Sequence, residues 1–129
     1  MVHPPAIEAH DLRKHYGDVR AVDGISFTAA PGEILGFLGH NGAGKTTTVR
    51  MLTGRAQPTA GSARVLGFDV TRERQRLKPL INLVFEDQNL YQRLTGRENL
   101  RLFARLYGTP DTRVDELLEV VGLADAARR

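Results

Sequence analysis

The sequence predicts an α/β fold, because segments with the apolar pattern of strands alternate with segments of helical pattern along its 129 residues. Residues 33–38 (EILGFL) and 81–85 (INLVF) are short and almost entirely apolar, as in strands covered on both faces of a parallel sheet. A glycine-rich stretch follows the first of these segments and leads into a helical one. We therefore expect a parallel sheet with helices beside it.

The N-terminal segments predict an antiparallel layer of two or three strands. Residues 7–16 carry β-compatible side chains, Gly17 and Asp18 indicate a turn, and residues 25–29 alternate in the manner of a strand. A further short strand is predicted at 62–66, after a surface loop over 57–61.

Helices are predicted over 45–53, 71–78, 95–107 and 115–121. Gly54 is well placed to end the first of them. Thr95 and Glu98 have the spacing of a capping box, in which each side chain bonds to the backbone N–H of the other residue. Gly122 ends the last helix.

Composition excludes several classes of function. The sequence has no cysteine, which rules out disulfides, thiolate metal sites and thiol catalysis. Its 18 basic and 15 acidic residues are interleaved, unlike the basic face with aromatic side chains that reads nucleic acid, so no nucleic-acid partner is expected. Signal-peptide and membrane-span patterns are absent from the sequence, and we expect a soluble, cytoplasmic chain.

Residues 39–46 (GHNGAGKT) match G-x-x-x-x-G-K-[ST], the Walker A pattern of phosphate-binding loops. The glycines let the backbone curl so that successive N–H groups face inward. Lys45 offers an ammonium to the β and γ phosphates, and the Thr46 hydroxyl can ligate magnesium. A glycine-rich turn that serves geometry alone is the alternative, but the position between a strand and a helix favours a nucleoside triphosphate site, best suited to Mg-ATP. The predicted phosphate-binding residues are Gly39, Asn41, Gly42, Ala43, Gly44, Lys45, Thr46 and Thr47.

Three strings around this loop extend the pattern: VDGISF at 22–27, PGEILGFLG at 31–39 and GHNGAGKTT at 39–47. With them the chain closely resembles the ATP-binding subunit of ABC transporters, from about Ile7 to the last residue. LTGRENL at 94–100 adds similarity to the drug-export branch, in which a separate ATPase subunit drives a membrane subunit. The resemblance implies a P-loop NTPase fold, with ATP and Mg2+ as its ligands.

The resemblance also implies roles for two residues outside the loop. Tyr16 lies where the family places an aromatic side chain that stacks on adenine; without the resemblance it is a strand-end aromatic. The family's glutamine that contacts magnesium and the attacking water falls here on Glu86, with Gln88 two residues later. A carboxylate can meet magnesium directly or through water, and solvated loop acids are the alternative.

Other family motifs are not found in the sequence: the L-S-G-G-Q signature, the Walker B strand and the switch histidine. We therefore expect 1–129 to be the N-terminal part of an ATPase domain, with the β layer and P-loop core at about 7–94 and the start of a helical subdomain at about 95–129. Because phosphoryl transfer needs all of its positioned groups, Mg-ATP binding with negligible hydrolysis is expected. Uncovered sheet edges and apolar surface predict self-association.

The partners implied by the resemblance are a membrane-spanning transporter subunit and a second ATP-binding subunit, at the inner face of the cell membrane. Arg97, Arg101 and Arg105 form a basic stripe at four-residue steps, open to interpretation as a partner contact or a solvated helix face. A degenerate or truncated nucleotide-binding module without turnover is the main alternative function. A different P-loop enzyme, such as a small kinase, is disfavoured by the strings around the loop.

Overall fold

The structure is a computed structural model that describes residues 3–87 and 89–128. They divide into two compact units, one reaching to Leu83 and one starting at Val84. Among these described residues, every helix is too short or too polar to span a bilayer.

The first unit is built on an antiparallel sheet whose described strands lie in the order β2-β1-β3-β4. The strands are β1 (Ile7–Tyr16), β2 (Val19–Ala29), β3 (Ala60–Val65) and β4 (Phe68–Asp69). The predicted N-terminal antiparallel strands are confirmed, although β2 begins at Val19 and is therefore longer than the segment 25–29. The predicted strand at 62–66 is confirmed as β3, which begins two residues earlier.

One face of the sheet carries helix α1 (Lys45–Leu52), as the sequence predicts. Its buried side chains Thr48, Met51 and Leu52 lie at positions i, i+3 and i+4, which share one helix face. Met51 and Leu52 belong to the core cluster that contains Leu12 of β1. Burial of this face holds α1 against the sheet.

The helix expected at 71–78 is shorter, α2 (Arg74–Leu77), and continues as a 3-10 turn at Lys78–Leu80. The reason lies in Asp69, whose carboxylate accepts hydrogen bonds from the N–H groups of Thr71 and Arg72, both at 2.9 Å. These bonds hold residues 71–73 in a turn and delay the helix.

The predicted strands at 33–38 and 81–85 are wrong for this structure, because neither segment lies in a strand. Parallel strands are held by backbone hydrogen bonds to neighbours, and the four described strands pair only with one another. Several apolar side chains of these segments are consequently exposed: Ile34 and Leu38 are each 97% exposed and Val84 is 92% exposed. Phe37 and Ile81 are partly buried against the core of the first unit.

The second unit contains α3 (Gly96–Leu106), α4 (Asp111–Val120) and a 3-10 turn at Ala126–Arg128. The predicted capping box is confirmed, since the N–H of Glu98 donates to Thr95 Oγ1 at 3.2 Å and the N–H of Thr95 donates to Glu98 Oε2 at 2.7 Å. The last helix starts four residues before the predicted 115. Pro110 precedes it with φ −61°, a value already suited to a helix start.

The two helices are joined by a small core and by ion pairs. The buried apolar residues of this core are Ala104, Val114, Leu118 and Ala127. Arg97 of α3 forms an ion pair with Asp115 of α4, and Arg101 Nε lies 3.7 Å from Asp111 Oδ2. Two residues of the basic stripe therefore act within this unit, joining its helices, which neither interpretation of the stripe had included.

Candidate functional site

The glycine-rich loop is fixed to the sheet by its last glycine. Gly44 has φ 91°, a left-handed conformation that disfavours side chains. A Cβ on Gly44 would lie 2.3 Å from the carbonyl oxygen of Ala21 and 3.0 Å from Val22 Cγ2. Backbone conformation and close packing both demand glycine here, so the end of the loop lies directly against β2.

Lys45 turns its side chain back into the loop. Its ammonium donates a hydrogen bond to the carbonyl oxygen of Gly39, the first residue of the loop. The loop is also closed by a 3.1 Å hydrogen bond from the N–H of Ala43 to the carbonyl oxygen of His40. The only positive side chain of the loop is therefore held among its backbone groups, where a phosphate oxygen would compete with Gly39.

The first turn of α1 has backbone amides available for an anion. The N–H groups of Lys45, Thr46 and Thr47 precede the first helical hydrogen bond, which the N–H of Thr48 makes to the carbonyl oxygen of Gly44 at 2.9 Å. In the described residues no side chain caps this helix start. Free amides at a helix N-terminus, together with the helix dipole, form an anion site.

Three threonines follow Lys45, and the structure separates their roles. Thr46 is exposed and Thr47 is half-buried, so both hydroxyls are accessible beside the helix start. Thr48 is buried and its hydroxyl donates to the carbonyl oxygen of Gly44 at 2.8 Å. Thr48 thus stabilises the junction between the loop and α1, and its hydroxyl is not available to a ligand.

Tyr16 lies on the same face of the sheet as the loop. Lys14 pairs directly with Val22, whose side chain packs against Gly44, and paired residues share a face. Tyr16 is two residues further along β1, past a register shift in the pairing, and its ring contacts the Lys14 side chain, so it lies on that face as well. It pairs with Val19, two residues from Ala21, which is roughly 7 Å along the strand. With 50% of its surface exposed, the ring is accessible next to the phosphate loop.

The family model described as ABC transporter matches residues 22–129. The chain belongs to the ABC transporter family. This result confirms the resemblance drawn from residues 22–47 and the expected fold class, an α/β P-loop NTPase with an antiparallel β layer, a P-loop and a helical segment.

Relatives in this family are ATP-binding proteins of transporters. The chain is 39% identical to a bacitracin transport ATP-binding protein of Bacillus licheniformis over 95% of the chain, and 43% identical to a daunorubicin resistance ATP-binding protein of Streptomyces coeruleorubidus over 96%. It is 38% identical to a methionine import ATP-binding protein of Brucella abortus over 95%. The chain spans 40%, 40% and 36% of the lengths of these relatives.

The fold is also that of solved ABC proteins. The chain superposes on the ATP-binding subunit of an ABC transporter with a TM-score of 0.82 at 28% identity, covering 95% of the chain and 53% of that structure. The antiparallel layer and the loop before α1 therefore belong to a fold that is known from ABC transporter subunits.

The predicted magnesium site has two residues, Thr46 and Glu86. Thr46 lies in the phosphate loop of the first unit, with an exposed side chain. Glu86 lies in the second unit, exposed and outside helices and strands, and Gln88 lies outside the described residues. Within residues 3–87 and 89–128 no cluster of three or more His, Cys, Asp or Glu side chains could hold a metal. The role of Glu86 stays a prediction.

Sequence reasoning missed Lys14, whose ammonium lies 4.9 Å from the centroid of the Tyr16 ring. The i, i+2 spacing on a strand was the available signal, since such residues share a face. It also missed an ion network on β1 and β2, in which Asp23 accepts hydrogen bonds from His15 at 3.4 Å and from Arg13 and Arg20, both at 3.3 Å. Although desolvation opposes ionisation, the hydrogen bonds from His15 and Arg20 and the arginine charges hold the pKa of Asp23 below its usual value.

Proposed function

We propose that this chain binds Mg-ATP and forms the nucleotide-binding part of the energy subunit of an ABC transporter. The observation that carries the proposal is the geometry of residues 39–47, in which the Lys45 ammonium is turned into a closed loop and the uncapped amides of α1 lie beside it. A polyphosphate needs this combination of donors and positive charge.

Each part of the nucleotide is proposed to bind to particular residues of the chain. The phosphates are bound by the loop and the start of α1, through Gly39, Asn41, Gly42, Ala43, Gly44, Lys45, Thr46 and Thr47. Thr46 ligates the magnesium ion of Mg-ATP, and the adenine stacks on Tyr16. Glu86 is proposed to reach magnesium or the attacking water in place of the family's glutamine, because a carboxylate oxygen is a ligand that magnesium accepts.

The proposal extends to the activity and partners of the whole protein. We infer that the intact ATPase domain hydrolyses ATP, pairs with a second ATP-binding subunit and drives a membrane-spanning subunit from the cytoplasmic face. Export is favoured by LTGRENL at 94–100, the segment similar to the drug-export branch. The methionine import relative has the opposite direction, so transport by the intact protein in inverted vesicles would decide between them.

The proposed domain organisation is a β layer and P-loop core at about 7–94 and the start of a helical subdomain at about 95–129. The start of α3 at Gly96, after its capping box, supports a helical subdomain from about 95, whereas the compact units divide earlier, between Leu83 and Val84.

The binding proposal is tested by calorimetric titration of the 129-residue chain with Mg-ATP. We expect saturable binding that Lys45→Ala abolishes, because the ammonium and its charge are lost. Lys78→Ala, which removes an exposed lysine of the 3-10 turn at Lys78–Leu80, is the matched control and should bind as the wild type does. Equal affinity of the Lys45→Ala variant and the wild type would refute the proposal.

A second candidate function, a nucleotide-binding module without turnover, is favoured by the carboxylate of Glu86 at the position of the family's glutamine. We expect the chain alone to release phosphate no faster than the Lys45→Ala variant. For the intact protein, a Glu86→Gln variant that hydrolyses ATP faster than the wild type would support the module without turnover. Hydrolysis by the wild type well above that of its Lys45→Ala variant, and unchanged or slowed by Glu86→Gln, would support the transport ATPase.

A further inference from the structure

The side chain of Lys14 is held between the Tyr16 ring and the segment that follows α1. Its Nζ lies 4.9 Å from the ring centroid and donates a 2.7 Å hydrogen bond to the carbonyl oxygen of Gln57. Lys14 is half-buried, so its long stem is ordered by neighbours and not by solvent alone. The ammonium therefore has a defined position against one face of the ring.

The segment that holds this ammonium is itself fixed to β1. The N–H of Thr59 donates to the carbonyl oxygen of Arg13 at 2.8 Å, and the N–H of His15 donates to Thr59 Oγ1 at 3.0 Å. These two hydrogen bonds flank Lys14 on either side along the strand. The Gln57 carbonyl lies two residues before this anchored threonine, so the acceptor of the Lys14 ammonium is held beside β1.

A cation placed against an aromatic ring restricts where that ring lies. The face of the ring carries negative potential, so an ammonium within about 6 Å of the centroid attracts it. Tyr16 is the last residue of β1 and is 50% exposed, so the contact with Lys14 restricts a ring that faces solvent in part. With Lys14 over one face of the ring, a nucleobase would have the other face to stack on.

We propose that Lys14 is a positioning residue for the nucleobase, which holds the Tyr16 ring in the orientation that stacks on a purine whose phosphates lie in the loop. This inference rests on the proposed function, and it makes Lys14 a determinant of affinity for a nucleotide over bare polyphosphate. Lys14 shares a face with Val22, which packs against Gly44, so the ring it orients is on the side of the phosphate loop.

The test compares binding of Mg-ATP with binding of inorganic tripolyphosphate and magnesium, by calorimetry on the 129-residue chain. Lys14→Met keeps the length of the stem and removes the charge. It should weaken the binding of Mg-ATP roughly twofold to fivefold, which is the range expected for an exposed cation–ring contact. The affinity for tripolyphosphate should be unchanged. Lys14→Arg keeps a cation and should bind both ligands as the wild type does. In a Tyr16→Ala background, Lys14→Met should have no further effect.

An equal loss of affinity for both ligands in Lys14→Met would overturn the inference, because the lysine would then act on the phosphates or on folding. An unchanged Mg-ATP affinity in Lys14→Met, beside a loss in Tyr16→Ala, would also overturn it while leaving the proposed function intact. The proposed function fails by different results: Lys45→Ala would bind both ligands normally, or Tyr16→Ala would bind Mg-ATP normally. Tripolyphosphate binding by the Lys14 and Tyr16 variants shows that their loops are folded.

Discussion

A methyl group on Gly44 would lie 2.3 Å from the carbonyl oxygen of Ala21, so the phosphate loop and β2 are in direct backbone contact. Heavy atoms cannot approach this closely without a shift of the backbone. The contact gives the loop its position, because Gly44 is also the residue from which α1 starts. Loop geometry and sheet stability are therefore linked through one residue.

Gly44→Ala should lower both the stability of the first unit and its affinity for Mg-ATP. The left-handed conformation costs a residue with a side chain about 1 to 2 kcal/mol, and overpacking against Ala21 adds about 1 to 3 kcal/mol. Thermal unfolding followed by circular dichroism measures the first effect, and calorimetric titration measures the second.

Gly17→Ala is the matched control for this change. Gly17 has φ 58°, and a Cβ there would meet nothing within 4 Å, so the substitution has the conformational cost without the steric one. We expect it to be destabilised less than Gly44→Ala and to bind Mg-ATP normally. Equal destabilisation of the two variants would show that the Ala21 contact is easily relieved.

Features that depend on adjacent residues could be predicted from the sequence. The phosphate loop follows from glycines and a lysine at fixed spacing, and the capping box follows from Thr95 and Glu98 three residues apart. The antiparallel strand β1 and helix α1 were predicted for the same reason, since turn residues and apolar spacing delimit them.

Features that depend on distant residues could not be predicted in this way. Segments 33–38 and 81–85 have a strand-like composition, but a strand also needs a neighbour, and local sequence does not show whether one is present. The Lys14 contact with Gln57 joins residues 43 apart in the chain. The pairing of Arg97 with Asp115 depends on how α3 packs on α4, which a stripe on one helix does not reveal.

Thr46 and Thr48 should respond in opposite ways to replacement by valine, which keeps the shape and removes the hydroxyl. Thr46→Val should weaken the binding of Mg-ATP with little change in stability, because the exposed Thr46 hydroxyl is the proposed magnesium ligand. Thr48→Val should cost about 0.5 to 1.5 kcal/mol of unfolding free energy, since it loses the buried hydrogen bond to Gly44. Titrations with and without magnesium, beside urea unfolding, separate the two effects. Loss of the magnesium dependence in Thr48→Val would contradict these assignments.

The capping box makes the stability of α3 depend on pH. A hydrogen bond from the N–H of Thr95, with a further one from its hydroxyl, holds the pKa of the Glu98 carboxyl below its ordinary value, against a smaller effect of desolvation. A carboxyl whose pKa is lower in the folded state stabilises that state fully above the unfolded value, about 4.3. This stabilisation is lost as the pH falls through the lower folded-state pKa.

Helix content followed by circular dichroism between about pH 6 and pH 2 measures this loss. Glu98→Gln keeps an acceptor for the Thr95 N–H but does not titrate, so its profile should lack the contribution of this group. Thr95→Ala removes the side-chain cap and should cost about 1 kcal/mol. It should flatten the profile only in part, because the backbone N–H of residue 95 still donates to Glu98. An unchanged profile in both variants would assign the transition to other carboxyls.

The ion pair between Arg97 and Asp115 should appear as a coupling free energy between α3 and α4. Arg97 is largely covered while Asp115 is about half exposed, so a double-mutant cycle with alanine should give about 0.5 to 1 kcal/mol. The coupling should fall as salt screens the exposed side of the pair. A cycle between Arg105 and Asp115 is the control, because Arg105 lies two turns further along α3, about 12 Å away, and should show no coupling. Urea unfolding of the four variants in each cycle measures both values, and equal coupling in the two cycles would mean that the stripe acts through its summed charge and not through this pair.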